Sequence, residues 1–557
     1  MNKLPFIHRG YTGSMDFQRK TSNYSPYFLG LYMVGVLTFF VVVVIRLFHL
    51  TVVKGAYYGN LSDNNRVREI IIEPKRGKII DRKGFILAAN HDPLESEKKD
   101  RLISSRIYYK PDSTGHILGY RQTADKNDLK NDPCINKLKL GDKTGKKGIE
   151  KLYECELRGE HGKKLVEVDA MGKYVKTLSV VDPLKGHDIE LALDSELQEK
   201  AQELLKSQRG AVVGIKPQTG EILILASNPT FNPQIFEDGS AKEASELFAN
   251  KEKPMFNRAT EGNYPPGSTF KMFVAAAGLE EKVVTADTIF QDDGKLKAGQ
   301  RDFHNWYYLE YGKTEGDVNL LKSLQRSNDT YYYQLGAKLG PEKIKKWAEI
   351  FGFHARTDIG IDEVSGIIPS TFWKEDTLKE QWYLGDTYNL SIGQGYVTTT
   401  PLQVALATVP FANNRQYCKP MLLKKGSIAS ATPDCKKLPM SDKTYEVIRE
   451  GMNLACKTGG TAWPFFDFGI NESTPSANPS VASSAASIKR SIDVGCKTGT
   501  AESHAESGEP HAWFTVFAPY DNPEIVLTVI VEESGQGSDI AAPIARDILL
   551  QYFQRLQ

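Results

Sequence analysis

Ser268 lies in the run Tyr264-Pro265-Pro266-Gly267-Ser268-Thr269-Phe270-Lys271, a serine followed three residues later by a lysine. The two prolines cannot continue a helix from upstream, but they can lead into one. The stretch Thr269 to Leu279 is apolar and alanine-rich, as a buried helix is. Ser268 is therefore expected at a helix start, with Lys271 one turn on and on the same face. A serine hydroxyl is a poor nucleophile until a base takes its proton. A lysine held close and partly desolvated can lose its own proton and serve as that base. The helix N-terminus adds partial positive charge and free N–H groups. Alone, the tetrapeptide reads as an N-cap serine with a solvated lysine. Ser96-Glu97-Lys98-Lys99 repeats it in a charged stretch. The apolar helix behind Ser268 marks that copy as the candidate nucleophile.

Two further motifs carry candidate chemistry. Ser327-Asn328-Asp329-Thr330-Tyr331 opens an aromatic helical stretch. Lys497-Thr498-Gly499-Thr500-Ala501 is expected to follow a strand. Lys-Thr-Gly also occurs at Lys143-Thr144-Gly145 and Lys457-Thr458-Gly459. The Lys457 copy runs into Gly460-Thr461-Ala462-Trp463-Pro464 and reads as a turn. Only the Lys497 copy sits between strand signals. Tyr264, Tyr331 and Trp513 read as core aromatics beside these motifs. His511 reads as structural or surface rather than as a general base.

These residues need a scaffold that brings them together. A chain of 557 residues holds two or three domains. Lysine plus arginine number 70 against 69 acidic residues, which gives no electrostatic case for a nucleic-acid partner. Hydrophobic content of 40% excludes a polytopic membrane protein. From Tyr27 to Ile45 no residue is charged, enough for one helix across a bilayer. Lys3, Arg9, Arg19 and Lys20 precede it against Asp16, which places the tail in the cytoplasm and the rest outside. Arg46-Leu47-Phe48 lacks a signal-peptide cleavage pattern, so the anchor is expected to stay. The six cysteines all follow it. Neighbours in sequence suggest Cys134–Cys155, Cys418–Cys435 and Cys456–Cys496, with free buried thiols as the alternative.

Residues 70–82 read as two strands around a Pro/Gly turn, and residues 91–133 as helix and loop. Asp194 caps an amphipathic helix to about Lys206. Ala211–Ile215 and Glu221–Ala226 form a hairpin signal. Strands are expected from Ser491 to Gly495 or beyond, at Ala512–Ala518 and at Glu524–Glu532, with a closing helix at Ala541–Phe553. Strands first and last with helices between give an α+β domain whose sheet joins both ends. Residues 471–490 read as an exposed loop.

The order Ser268 to Lys271, Ser327 to Asp329, then Lys497 to Gly499 resembles that of penicillin-binding proteins and class A β-lactamases. With the anchor, nearly the whole chain resembles a class B penicillin-binding protein. Pro74-Lys75-Arg76-Gly77, Gly148-Ile149-Glu150, Tyr153-Glu154 and Leu157-Arg158-Gly159 are similar to that family's pedestal. Asn257-Arg258-Ala259, Gly385-Asp386-Thr387, Ser391-Ile392-Gly393-Gln394-Gly395 and Thr400-Pro401-Leu402-Gln403 are similar to its transpeptidase domain. Asp329, where the family usually has asparagine, resembles the elongation-type branch, penicillin-binding protein 2, as do Gly460-Thr461-Ala462 and His511-Ala512-Trp513-Phe514.

The resemblance implies a tail at 1–26, an anchor at 27–50, a pedestal or dimerisation domain at 51–205 and a transpeptidase domain at 206–557. That last domain is expected as an antiparallel sheet with a helical subdomain, serine β-lactamase-like. It implies a peptidoglycan D,D-transpeptidase of a bacterial cell membrane, acting on stem peptides through an acyl-enzyme at Ser268 and acylated there by β-lactams. Lys271 would be the base. Ser327 would relay a proton, and Asp329 would bond Lys271 or the substrate amide. Lys497, Thr498 and Thr500, with Gly499 between them, would bind the substrate carboxylate. Whether Asp329 holds Lys271 charged, against a base role, is open at this level. The expected partners are a SEDS-type membrane glycosyltransferase and other elongation-complex proteins. No cofactor is expected. Some relatives hold zinc through Asp, His and Cys between the first two motifs; Asp302 and His304 lie there without a cysteine, so no metal is expected either. The alternatives are a D,D-carboxypeptidase or β-lactamase-like hydrolase of the same fold, or a non-catalytic scaffold.

Overall fold

Residues 26–91, 94–95, 101–169, 171–427, 432–473, 487–503 and 508–555 are described by the computed structural model. The basic tail and the Ser96 copy of the tetrapeptide lie outside them. The chain forms two compact units, one of residues up to Ile70 with Lys163–Val181, the other of Ile71–Gly162 with Asp182–Gln557.

In the first unit a helix, Pro26–Phe48, runs on through a π-helical turn to Val53. Its 28 residues are long and apolar enough to cross a membrane, and none of them is buried against protein. This unit also holds an antiparallel pairing of Lys163–Val168 with Tyr174–Val181.

The second unit opens with the two strands expected around the Pro/Gly turn, but they do not form a hairpin. Ile71 and Ile72 pair in parallel with Arg101 and Leu102. Ile79–Ile80 pairs instead with Ile86–Asn90 and Ile189–Glu190. Residues 91–133, expected as helix and loop, also carry strands at Arg101–Ile103, Arg106–Tyr108 and Arg121–Thr123. That stretch is rich in charge of both signs, yet Arg106 and Arg121 are buried in ion pairs, so charge there does not mean solvent. Glu150 accepts from Arg76 at 2.6 Å and from Arg106 at 2.8 Å. Glu154 pairs with Arg76 and Arg158, and Arg158 reaches Asp132 at 2.6 Å. Burial opposes the charge on Glu150, but Arg106 and Arg76 hold its carboxyl down to about 2. The pedestal motifs are thus the members of one buried ionic network. Disulfides join Cys134–Cys155, Cys418–Cys435 and Cys456–Cys496.

Five strands build the sheet that positions the candidate motifs: β1 (Gly210–Lys216), β2 (Glu221–Asn228), β3 (Gly495–Ala501), β4 (His511–Ala518) and β5 (Ile525–Val531), in the order β2-β1-β5-β4-β3. All four pairings are antiparallel. Side chains alternate across the sheet, as a strand's period of two requires. Ala211, Val213, Ile215, Trp513, Phe517, Val526 and Ile530 face one apolar cluster with the helices Lys271–Glu280 and Pro401–Ala412. Val212, Phe514, Val516, Leu527 and Val529 face another, with Ser195–Leu205 and Ala541–Gln554. The first of these helices begins at the expected cap, with Asp194 accepting from Leu197 N–H. Residues 471–490, expected as a loop, instead carry the paired strands Gly469–Ser473 and Ser487–Ser491 at their ends, and 474–486 lie outside the described residues. Ser and Lys are poor markers of such a two-strand ladder, which burial on one side does not reveal.

Candidate active site

Ser268 belongs to a 3₁₀ turn, Gly267–Phe270, that leads directly into the helix Lys271–Glu280. Eight of that helix's ten residues are buried, which fixes Lys271 inside the protein. The turn lies flat against β3 because two glycines allow it. Gly267 has φ 55°, a conformation that costs little only without a Cβ. A Cβ on Gly499 would come within 2.9 Å of both Thr269 Cγ2 and Trp513 Cβ. Lys-Thr-Gly was expected just after a strand. It lies within β3 itself, because the strand begins at Gly495, after a break from Ser487–Ser491. The Lys457 copy forms the expected turn, and the Lys143 copy lies on a short strand, Lys143–Gly145.

Ser327 sits between the helices Leu320–Gln325 and Asp329–Leu339 with a left-handed φ of 52°. For a non-glycine residue this is a strained backbone. Asn328 caps the second helix by accepting from Tyr331 N–H at 2.8 Å. Asp329 opens it, where a carboxylate is favoured by the helix dipole.

Both buried lysines converge on this serine. Lys271 Nζ donates to Asp329 Oδ1 at 2.6 Å and to the Ser327 carbonyl at 2.7 Å, and lies 3.4 Å from Ser327 Oγ. Lys497 Nζ donates to Ser327 Oγ at 2.8 Å and to the Thr498 carbonyl at 3.0 Å. Neither lysine is exposed to solvent. Burial lowers the Lys271 pKa, while the Asp329 carboxylate pulls it back up; burial prevails. Burial and the neighbouring Lys271 carry Lys497 well below the usual lysine value. One hydroxyl therefore links two desolvated amines.

Above them opens a cleft of about 780 Å³. Ser268, Ser327, Asp329, Thr498, Gly499 and Thr500 all line it, so every candidate with an exposed face is on one wall system. Thr461 Oγ1 lies 2.7 Å from Thr498 Oγ1, which ties the turn of the Lys457 copy to the Lys497 strand. The Cys456–Cys496 disulfide fastens the same two segments just behind them. Gln394, within the Ser391–Gly395 motif, reaches the Thr500 carbonyl at 3.4 Å.

Tyr264, Tyr331 and Trp513 are buried, as core aromatics are. Their polar atoms are also used: Tyr264 donates to Glu532 at 2.6 Å and Trp513 to the Pro265 carbonyl at 3.0 Å. His511 accepts from Glu533 N–H at 3.1 Å, a structural contact. Asp302 pairs with Lys295 at 2.8 Å, and His304 stacks on Tyr308 in the cleft wall. Three residues escaped the sequence reading. Asn305 accepts from Asp329 N–H at 3.0 Å, Trp306 N–H donates to Asp329 Oδ2 at 2.9 Å, and Asp292 lies behind both. Asp292-Asp293-Gly294 gives only a turn signal in sequence, with nothing to connect it to Asp329.

Comparison with known proteins agrees with this geometry. Residues 210–550 match the penicillin binding protein transpeptidase domain, and residues 101–191 the penicillin-binding protein dimerisation domain. The chain is 32% identical to the peptidoglycan D,D-transpeptidase MrdA of Haemophilus influenzae, over 94% of this chain and 91% of that protein. It is similar to the crystal structure of Pseudomonas aeruginosa PBP2 in complex with WCK 5153, with a TM-score of 0.72 and 33% identity over 87% of this chain and 96% of that one. The complex of PBP2 with MreC from Helicobacter pylori gives a TM-score of 0.73 at 26% identity, covering 88% of this chain and 99% of that one. Sequence, architecture and cleft agree that the chain belongs to the penicillin-binding protein transpeptidase family, as a class B, penicillin-binding protein 2-like peptidoglycan D,D-transpeptidase of cell-wall elongation.

Proposed function

We propose that Ser268 is the nucleophile through which this transpeptidase cross-links stem peptides. The observation that supports this most is the meeting of Lys271 and Lys497 at Ser327 Oγ beneath a cleft that exposes Ser268. Ser268 Oγ attacks the carbonyl of the D-Ala–D-Ala bond, and its proton passes to neutral Lys271. Backbone N–H groups of Ser268 and Thr500 stabilise the oxyanion. Lys271 returns the proton through Ser327 to the departing D-alanine amine. Lys497 poises Ser327 for that relay, and Thr498 and Thr500 hold the substrate carboxylate at Gly499. An amine of a second stem peptide then attacks the acyl-enzyme, releases Ser268 and forms the cross-link. Asp329 holds Lys271 in place; the lowered Lys271 pKa supports a base role despite that carboxylate.

The protein is anchored in the membrane through Pro26–Val53. The basic tail supports a cytoplasmic N-terminus, with the pedestal at 51–205 and the catalytic domain at 206–557 outside. The MreC complex of the Helicobacter pylori relative supports an elongation-complex protein as partner. The family resemblance adds a SEDS-type glycosyltransferase. β-Lactams acylate Ser268 in place of the stem peptide. The test is labelling of the full-length chain by a fluorescent penicillin. Labelling that vanishes in Ser268→Ala is expected; labelling that survives the substitution would overturn the assignment.

A further inference from the structure

The structure assigns Asp292, a residue outside all three motifs, the role of positioning the Ser327–Asp329 segment for acyl transfer. Asp292 is 1% exposed. Its carboxylate collects five donors. Oδ1 accepts from Gly294 N–H at 2.9 Å and from the Thr330 hydroxyl at 2.8 Å. Oδ2 accepts from Asn305 Nδ2, Glu315 N–H and Asn328 Nδ2, each at 2.9 Å. Among the described residues no lysine or arginine pairs with it. A buried carboxylate without a counter-ion is tolerated only where donors of this number replace water.

The arrangement has a chemical logic beyond stability. A carboxylate accepts and does not donate, whereas a side-chain amide does both. By taking the NH₂ of Asn328 and of Asn305, Asp292 fixes which way both amides face. Asn328 must then present its oxygen to Tyr331 N–H, and Asn305 its oxygen to Asp329 N–H. Trp306, next in sequence to Asn305, donates to the outer oxygen of Asp329, whose inner oxygen holds Lys271. Glu315, whose N–H also meets Asp292, pairs with Arg326 at 2.7 Å, one residue before Ser327. One carboxylate thus sets the orientation of the groups that hold Ser327 and Asp329 against the two lysines. Asp292 touches no substrate; it acts through Asn305, Asn328 and Thr330.

This inference rests on the assignment of Ser268 as the acylated residue. The test uses the full-length chain in detergent and the saturation kinetics of a fluorescent penicillin at several pH values. Asp292→Asn is nearly isosteric but places an NH₂ among donors. The expected result is a saturated acylation rate at least tenfold lower, a half-saturating concentration within twofold of wild type, and a displaced pH midpoint. Leu549→Ala, on the far side of the sheet and matched for loss of thermal stability, is expected to keep both rate and midpoint. A rate loss no larger than that of Leu549→Ala, or an unmoved pH midpoint, overturns the role of Asp292. If Asp292→Asn does not accumulate as folded protein, Thr330→Val decides by the same two readouts, with a threefold loss as threshold. Absence of Ser268 labelling in the wild type would instead overturn the underlying assignment.

Discussion

Replacing Asp329 by asparagine separates two roles that its carboxylate combines. One oxygen accepts from Lys271 at 2.6 Å and the other from Trp306 N–H at 2.9 Å. An amide has a single acceptor atom, so in either orientation one of these donors meets an NH₂. A buried donor left without an acceptor costs about 1–3 kcal/mol. For a catalytic domain of roughly 350 residues that is a fall in melting temperature of roughly 1–4 °C. The second effect is electrostatic. A carboxylate this close raises a lysine pKa. Its removal leaves burial unopposed and lowers the already depressed Lys271 pKa further. If neutral Lys271 is the base, the acidic limb of the acylation profile moves to lower pH. At a pH below the wild-type midpoint, Asp329→Asn then retains a larger share of its plateau rate than wild type does. The assay is stopped-flow labelling with a fluorescent penicillin from pH 5 to 9, with melting curves in parallel. A midpoint that stays in place or rises would refute Lys271 as the titrating base.

Lys497→Met keeps the side chain's length and removes its donors. Acylation is expected to fall about 10²-fold or more, as for loss of a preorganised donor. Melting is expected to hold or rise, because a desolvated amine whose burial is unfavourable is exchanged for apolar packing; the labelling rate and the melting curve check the pair of outcomes. Cys456 and Cys496 are 40 residues apart, which corresponds to about 4 kcal/mol of unfolded-state entropy in the loop model. The double change Cys456→Ser, Cys496→Ser is expected to lower the denaturant midpoint accordingly and to slow acylation, since the tether backs the Thr461–Thr498 contact; an unchanged labelling rate would disprove the second part. Stability also depends on pH in two windows. Glu150, held at about 2 against 4.5, gives stability that is complete above 4.5 and is lost as pH falls toward 2, worth about 3 kcal/mol. Lys271 and Lys497 act at the other end: unfolded lysines bind protons that the folded ones release, so stability rises with pH up to about 10.5. Urea titrations at stepped pH measure both slopes.

The candidate site residues were legible because each motif joins a local conformation to a chemical group. Pro266 and Gly267 announce the turn before Ser268, and the alanine-rich run announces the burial of Lys271. Strands β1, β2, β4 and β5 were legible from unbroken apolar runs, which a sheet covered on both faces demands. The start of β3 was less so, because Gly495, Lys497 and Gly499 carry no strand preference and are held by their neighbour β4. The pedestal was the least legible part. Its strands are two to three residues long in several places, and its core is an ionic network of Arg76, Arg106, Glu150 and Glu154 that hydropathy reads as surface. Asp292 was hidden for a related reason: its meaning depends on five donors spread from Gly294 to Thr330, which no spacing rule connects.

Strand β1 of the five-stranded sheet, residues 210–216, has its second neighbour at 525–531, more than three hundred residues later. Such distant pairing is slow, because a long loop must close before any contact rewards it. A nascent chain that already holds Ser268, Lys271 and Ser327 still lacks the last strand that ties the Lys497 hairpin to the rest. The complete cleft therefore arrives late in synthesis, and a chain truncated before Ile525 carries Ser268, Lys271, Ser327 and Lys497 but lacks the strand that joins β4 to β1.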